Sequence, residues 1–279
     1  MAPRVAYLGP AGTFTEQAAR QHAPNGDLQP FPSITGVALA VTSGMAEEGV
    51  VPIENSLEGS VNDTLDILIR QEGLFICKEL VISIDHCLMA QPGTKVSDIK
   101  VVFSHPQALG QCRQFLERCI PNAQLVASLS TAAAVDDMKG SKVTAAAIAP
   151  QRAAELNQVE VLARGLQGNS SNVTRFVVLS DSDYEPTGTD KTSLCFSFTA
   201  DSPGLLYNVL GEFSRRNINL AKVESRPSKQ SLGEYIFLID VHGHRDDALV
   251  REAIAGLQRQ TSVLKVFGSY PRWAEDTDR

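Results

Sequence analysis

Short apolar runs along this chain alternate with stretches whose apolar positions recur every three or four residues, and the two rhythms predict strands and helices respectively. Strands are expected at Arg4–Leu8, Leu28–Phe31, Gly49–Ile53, Leu80–Met89, Lys100–Phe103, Thr144–Ile148 and Phe176–Leu179. Helices are expected at Phe14–His22, Ile34–Ser43, Val61–Gln71, Gln107–Cys119, Ala132–Lys139 and Gln151–Leu156. Such alternation builds βαβ units and largely parallel sheets.

The rhythm stops at residues 181–191, DSDYEPTGTDK, a polar, acidic stretch with Pro and Gly that reads as a linker. Beyond it the pattern is strand Ser193–Thr199, helix Leu205–Arg216, strand Ile218–Glu224, strand Tyr235–Val241, helix Asp247–Gln260 and strand Val263–Phe267. That βαββαβ order is ferredoxin-like. In its first strand Leu194, Phe196 and Phe198 alternate with Ser193, Cys195 and Ser197, which leaves one face covered and one available to a partner. The expected division is therefore 1–180, a linker over 181–191, and 192–279.

Composition narrows the class. With 43% hydrophobic and 20% charged residues the chain resembles an ordinary globular protein with a real core. A net charge of −7 argues against nucleic acid as a partner, so an anionic ligand would need positive potential made locally. The cysteines Cys77, Cys87, Cys112, Cys119 and Cys195 form neither a CxxC pair nor a secreted-type framework, which suits free thiols in a reducing cytoplasm. MAPRVAYLGP has no signal-peptide character, and no segment approaches the ~18 apolar residues of a membrane helix. The N-x-S/T matches at Asn62, Asn169 and Asn172 then carry no glycosylation meaning.

Four stretches concentrate polar chemistry. In VVPIENSLEGSVNDTLD, residues 50–66, a strand ends in Glu54-Asn55-Ser56, the place where open α/β sheets bind ligands, and a helix N-terminus is expected after Gly59-Ser60. GPAGTFTE, residues 9–16, lacks the G-x-G-x-x-G of a dinucleotide site; Thr13 and Glu16 have capping-box spacing. SHPQALGQC, residues 104–112, sets Ser104 at a strand end and Gln107 and Gln111 one turn apart on one helix face, and His105 beside Pro106 is expected to be structural. GNSSNVTRF, residues 168–176, brings small polar side chains up to Thr174, Arg175 and Phe176, and Arg175 is the one fixed cation in the four stretches. His242 and His244 form an H-x-H without a third ligand at suitable spacing, so no metal is expected.

Together with PGLLYNVL and NLAKVESRPSK in the second domain, these stretches resemble the prephenate dehydratase family over nearly the whole chain. The resemblance implies an α/β fold: a two-lobed, periplasmic-binding-protein-like (type II) catalytic domain followed by a ferredoxin-like ACT domain that binds phenylalanine. It implies decarboxylating dehydration of prephenate to phenylpyruvate, without a cofactor, in the cytoplasm. Thr174 is implied as the catalytic residue, with Thr13, Asn55, Ser56, Ser104, Gln111, Arg175 and Phe176 as substrate contacts. A threonine hydroxyl does not titrate near neutrality, so Thr174 is expected to donate a hydrogen bond or relay a proton. Glu54 reads equally as a proton source with a raised pKa and as a helix-terminus carboxylate. Helix N-termini after residues 12, 59 and 105, with Arg175, are expected to supply the positive potential.

Effector contacts implied in the ACT domain are Gly204, Leu205, Leu206, Asn208, Glu224, Ser225, Arg226 and Pro227. The family's usual Gly-Ala-Leu-Val reads Gly204-Leu205-Leu206-Tyr207 here, which narrows the effector site while Glu224-Ser225-Arg226-Pro227 is intact. The chain starts at its first strand, so no fused chorismate mutase domain is expected. A homodimer or homotetramer is implied. Arogenate dehydratase shares the motifs, and a non-catalytic amino-acid sensor is the alternative from a different class.

Overall fold

The computed structural model describes residues 2–168, 171–199, 202–229 and 233–274. The N-terminal elements are β1 (Arg4–Leu8), α1 (Phe14–His22), β2 (Asp27–Phe31), α2 (Ile34–Thr42), β3 (Glu48–Asn55), β4 (Gly59–Ser60), α3 (Asn62–Arg70), β5 (Phe75–Ser83), β6 (Cys87–Ala90) and β7 (Val101–Ser104). The middle of the chain holds α4 (Pro106–Gln111), α5 (Arg113–Cys119), β8 (Gln124–Ala127), α6 (Ala133–Lys139), β9 (Ala145–Ala149), α7 (Gln151–Asn157), β10 (Glu160–Ala163) and β11 (Val173–Ser180). The C-terminal elements are β12 (Asp190–Ser197), α8 (Leu205–Ser214), β13 (Leu220–Pro227), β14 (Tyr235–His242), α9 (Ala248–Gln258) and β15 (Val263–Pro271).

The chain divides into two compact units. One comprises residues up to Thr64 with Leu80–Phe176; the other comprises Leu65–Glu79 with the residues from Val177 onward. The segment Leu65–Glu79, which the sequence pattern leaves in the N-terminal domain, therefore folds with the C-terminal residues. The boundary falls inside α3, β5 and β11.

The first unit has two lobes. One sheet has the order β2-β1-β3-β11-β5, with β4 folded back on β3; the other runs β10-β6-β9-β7-β8. Parallel pairing holds where strand–helix alternation is unbroken, as in β1–β2, β1–β3, β7–β8 and β7–β9. It fails at β6, which pairs antiparallel with β9 and β10, because the chain enters this lobe from the other sheet and not through a helical crossover. Leu80–Met89 is accordingly two strands in different sheets, broken at Ile84–His86, and not one. The chain returns between β10 and β11, and Ile84 N–H donates to Asn172 C=O across the two crossings at 2.8 Å.

Each element has local causes. Thr13 Oγ1 accepts from Glu16 N–H at the start of α1, and Ser33 Oγ accepts from Gly36 N–H at the start of α2. Glu16 does not complete a reciprocal box: its carboxylate takes the Gly12 N–H and pairs with Arg20. The expected Gln107–Cys119 helix divides at Cys112, the cap between α4 and α5. The expected helix N-terminus at Gly59-Ser60 is displaced, since those residues pair with Asn55 and Glu54 as β4 and α3 starts at Asn62. Gly12 has φ +88° and sits where a Cβ would come 3.2 Å from Ala153, so the lobes approach closely there.

The second unit contains the sheet β13-β14-β12-β15. Leu194, Phe196, Val209, Phe213, Ile239 and Leu257 are buried together in its core. The linker ends earlier than its composition suggests, because Asp190 and Lys191 already belong to β12. His244 is buried with Nε2 donating to Tyr184 C=O and Nδ1 accepting from Asp246 N–H, so hydrogen bonding occupies both ring nitrogens. Glu79 is buried and receives Lys191 Nζ at 2.8 Å and the Trp273 N–H at 2.9 Å.

A buried carboxylate stripped of its cation is costly. Lys191→Met is expected to lose about 3–5 kcal/mol, and Lys191→Met with Glu79→Leu to recover most of that. Urea unfolding followed by fluorescence of Trp273, the one tryptophan, is the check. Equal loss in the single and double variants would overturn it.

Candidate functional site

β3 runs outward through Val50, Val51 and Ile53, and its last side chains alternate between the sheet's faces. Asn55 shares a face with the buried Ile53, and Glu54 takes the other. The same alternation on the neighbouring β11 buries Thr174 and Phe176 and turns Arg175 aside. Asn55 Nδ2 lies 2.9 Å from Thr174 Oγ1, whereas Glu54 Oε2 lies 3.8 Å from Arg175 Nη1. Strand periodicity thus separates two pairs that adjacent numbering suggested were one cluster.

A cavity of about 360 Å³ opens on the Asn55 and Thr174 side, between the lobes of the first unit. Thr13, Asn55, Gln111 and Thr174 line it; Glu54, Ser56, Ser104, Arg175 and Phe176 do not. Ser104 is fully buried and its Oγ donates to Ile148 C=O at 2.6 Å, which ties β7 to β9. Ser56 Oγ donates to Ser171 C=O and accepts from Val173 N–H, holding the turn after β3 against the start of β11. Phe176 is core. Arg175, offered by the sequence as the local cation, is engaged with Glu54, and none of the described lining residues is Asp, Glu, Lys or Arg.

Asn55 is held with one orientation. Its Oδ1 accepts the backbone N–H groups of Leu57 and Glu58 at 3.0 and 3.1 Å, so that atom must be the carbonyl oxygen and Nδ2 the donor. Nδ2 then donates to Asn172 Oδ1 and Thr174 Oγ1, both at 2.9 Å, with Val173 C=O at 3.1 Å sharing its two hydrogens. The Thr174 hydroxyl accepts from Asn55 and donates to none of the described residues, which leaves its own hydrogen for the cavity.

Other donors converge there. Gln111, at the end of α4, accepts on Oε1 from Asn172 Nδ2 at 2.9 Å. The first turn of α1 brings its backbone amides to the lining residues Phe14 and Thr15. His105 lines the cavity while capping α4 through a long 3.4 Å contact from Gln107 N–H to Nδ1, in line with its expected structural role.

His86 is the lining residue that sequence reasoning missed. It is 3% exposed, its Nε2 lies 2.9 Å from Gln111 Oε1, and the Phe14 ring meets it edge-on at 5.6 Å. Burial pushes its pKa below the ordinary value, against the Gln111 hydrogen bond and the Asp85 charge. The signal was the polar Asp85-His86 pair inside an apolar run. Asn172 stands out in the sequence only as an N-x-S/T match, and Asn169, in the same stretch, lies outside the described residues.

In the second unit a cavity of about 280 Å³ is lined by Gly204, Leu205 and Leu206 with Phe198, Tyr235 and Phe237. Asn208, Glu224, Ser225, Arg226 and Pro227 do not line it. Glu224 pairs with Lys222 at 3.1 Å, and the buried Arg226 pairs with Asp66 of α3, which Lys229 also reaches at 2.8 Å.

The profile of the prephenate dehydratase family matches residues 5–184, and that of the ACT domain matches residues 197–258. A bifunctional chorismate mutase/prephenate dehydratase of Aquifex aeolicus is 41% identical over 271 residues, covering 96% of this chain and 74% of the relative. Arogenate dehydratase 5 of Arabidopsis thaliana is 38% identical, over 96% of this chain and 66% of its own length. Among solved structures, prephenate dehydratase from Arthrobacter aurescens in complex with L-Phe superposes with a TM-score of 0.90 at 38% identity, covering 96% of this chain and 90% of that one.

The lowered His86 pKa has a signed consequence. Between the folded value and the unfolded 6.5, the unfolded chain binds the extra proton, so stability falls as pH drops through that window. His86→Phe should flatten the loss of urea midpoint between about pH 7 and pH 5. A wild-type slope retained in the variant would refute it.

Proposed function

This chain belongs to the prephenate dehydratase family, and we propose that it converts prephenate to phenylpyruvate, carbon dioxide and water at the cavity between the lobes, under control of phenylalanine at its ACT domain. The observation that carries the mechanism is the Asn55–Thr174 hydrogen bond, which leaves one hydroxyl hydrogen for the substrate.

The reaction is a fragmentation driven by aromatisation. The bond from the ring to its carboxylate breaks, and its electron pair enters the ring as the third double bond. The carbon–oxygen bond across the ring breaks with its pair on oxygen, and that oxygen takes a proton to leave as water. The protein must hold the dianion and stabilise charge growing on the departing oxygen. Thr174 donates to that oxygen, while Asn55 fixes the hydroxyl and disperses the charge it gathers. The net proton comes from solvent, since a threonine is too weak an acid to supply it. Glu54, on the opposite sheet face with Arg175, takes no part in this step.

Gln111 and the first turn of α1 bind the carboxylates as a neutral donor and a dipole, and the Thr13 hydroxyl, which donates to Pro10 C=O at 2.9 Å, fixes that turn. Arogenate carries an ammonium where prephenate carries a keto group. None of the described lining residues is Asp or Glu to offer that ammonium a counter-charge, which favours prephenate. A cytoplasmic location fits five free cysteines, and a homodimer or homotetramer is part of the same reading. Among described residues no helix is long and apolar enough to cross a membrane.

Thr174→Val, with the fold verified by circular dichroism, is expected to lower kcat by about 10²–10⁴-fold while KM changes little. Initial rates on prephenate and arogenate, each with and without phenylalanine, complete the test. Near-normal turnover by Thr174→Val would remove it from the mechanism, and a higher kcat/KM for arogenate would reverse the substrate assignment.

A further inference from the structure

The polarity that begins at the Leu57 and Glu58 amides does not stop at Thr174. Asn55 Nδ2 donates to Asn172 Oδ1, so Asn172 presents Nδ2 to Gln111, whose near atom must be its carbonyl oxygen Oε1. An oxygen that only accepts demands a donor from His86, and Nε2 of His86 lies 2.9 Å away. Successive amide orientations, each forced by the one before, thereby determine which ring nitrogen carries the proton. Nδ1 is left as a bare lone pair, and it is buried without a hydrogen-bond donor. Gln111 Nε2 makes no hydrogen bond within the described protein and is not among the buried unpaired atoms, so it stays open to the cavity that Gln111 lines.

We infer that His86 is a positioning residue: as the neutral Nε2–H tautomer it holds the Gln111 carboxamide with Nε2 turned into the cavity, ready for a carboxylate of the substrate. Two donors on one carbonyl oxygen, His86 and Asn172, keep the carboxamide from turning over. The turned-over amide would face the dianion with an oxygen and present N–H to N–H behind it. Packing holds the imidazole in place, since Phe14 meets its ring edge-on and Gln167 Oε1 accepts its backbone N–H at 2.9 Å. Its place on the first crossing between the sheets, beside Asn172 on the second, makes the Gln111 orientation depend on both lobes at once.

The kinetic part of this inference rests on prephenate being the substrate; the tautomer does not. Long-range ¹H–¹⁵N correlation spectra of the wild-type protein at neutral pH should show His86 as the Nε2–H tautomer, and an Nδ1–H tautomer or an imidazolium would overturn the inference. His86→Phe keeps a ring and removes the donor, and should raise KM for prephenate about tenfold with kcat within about threefold. His86→Gln restores an N–H donor and should return KM to within about threefold of wild type. An unchanged KM in His86→Phe, or equal losses in the two variants, would reduce His86 to packing. Failure of the wild-type protein to consume prephenate would refute the reaction instead, and the spectrum would still judge the tautomer.

Discussion

Two backbone N–H groups, those of Leu57 and Glu58, converge on Asn55 Oδ1, and the polar order of the cavity follows from that capture. A carboxamide is nearly symmetric in shape but not in hydrogen-bonding sense, so one fixed end determines the other. Here the fixed end lies in the turn after β3 and the other end faces β11, where Thr174 and Asn172 read its polarity. Gln111 and His86 inherit it. Networks of this kind favour one arrangement, since reversing any amide sets donor against donor.

That order stands apart from the protein's charges. The buried or half-buried ionic groups close to the lobes are paired within the scaffold: Glu16 with Arg20 and Arg152, Glu54 with Arg175. Arg20 and the Gly12 amide hold the Glu16 pKa below its ordinary value, although burial alone would raise it and is the largest single influence. The cavity is lined by hydroxyls, amides, imidazoles and apolar groups. Neutral dipoles suit a substrate that enters as a dianion and leaves as a monoanion, the second charge having moved to the departing oxygen and been neutralised there by a proton. They stabilise charge without the desolvation cost of burying a fixed cation, and they need no rearrangement when the charge moves.

The residues themselves foretold a good part of this. β1, α1 and the βαββαβ order of the second unit follow from periodicity and caps, which act over one helical turn or one strand. The rim at the end of β3 was legible because polar residues closing an apolar strand have few other uses. Errors fell where the chain changes sheets. Leu80–Met89 is apolar apart from Ser83, Asp85 and His86, so one strand is the simplest reading, and inside one strand His86 has no reason to stand out. Arg175 enters through the family resemblance and its charge and Glu54 through its carboxylate chemistry, and a period of two turns both to the opposite sheet face, where they pair with each other.

Local pattern was therefore sufficient to set where strands and helices begin, the order of the elements, and which short stretches hold unusual polar chemistry. Tertiary structure decided which of those polar residues meet. Asn55 and Asn172 are 117 positions apart, His86 and Gln111 are 25 apart, and their pairing depends on two lobes folding against each other. Hydrogen bonds are directional and reach about 3 Å, so no spacing along the chain encodes them. The proton on His86 is the furthest such consequence: its location is set by two backbone amides that the imidazole never touches.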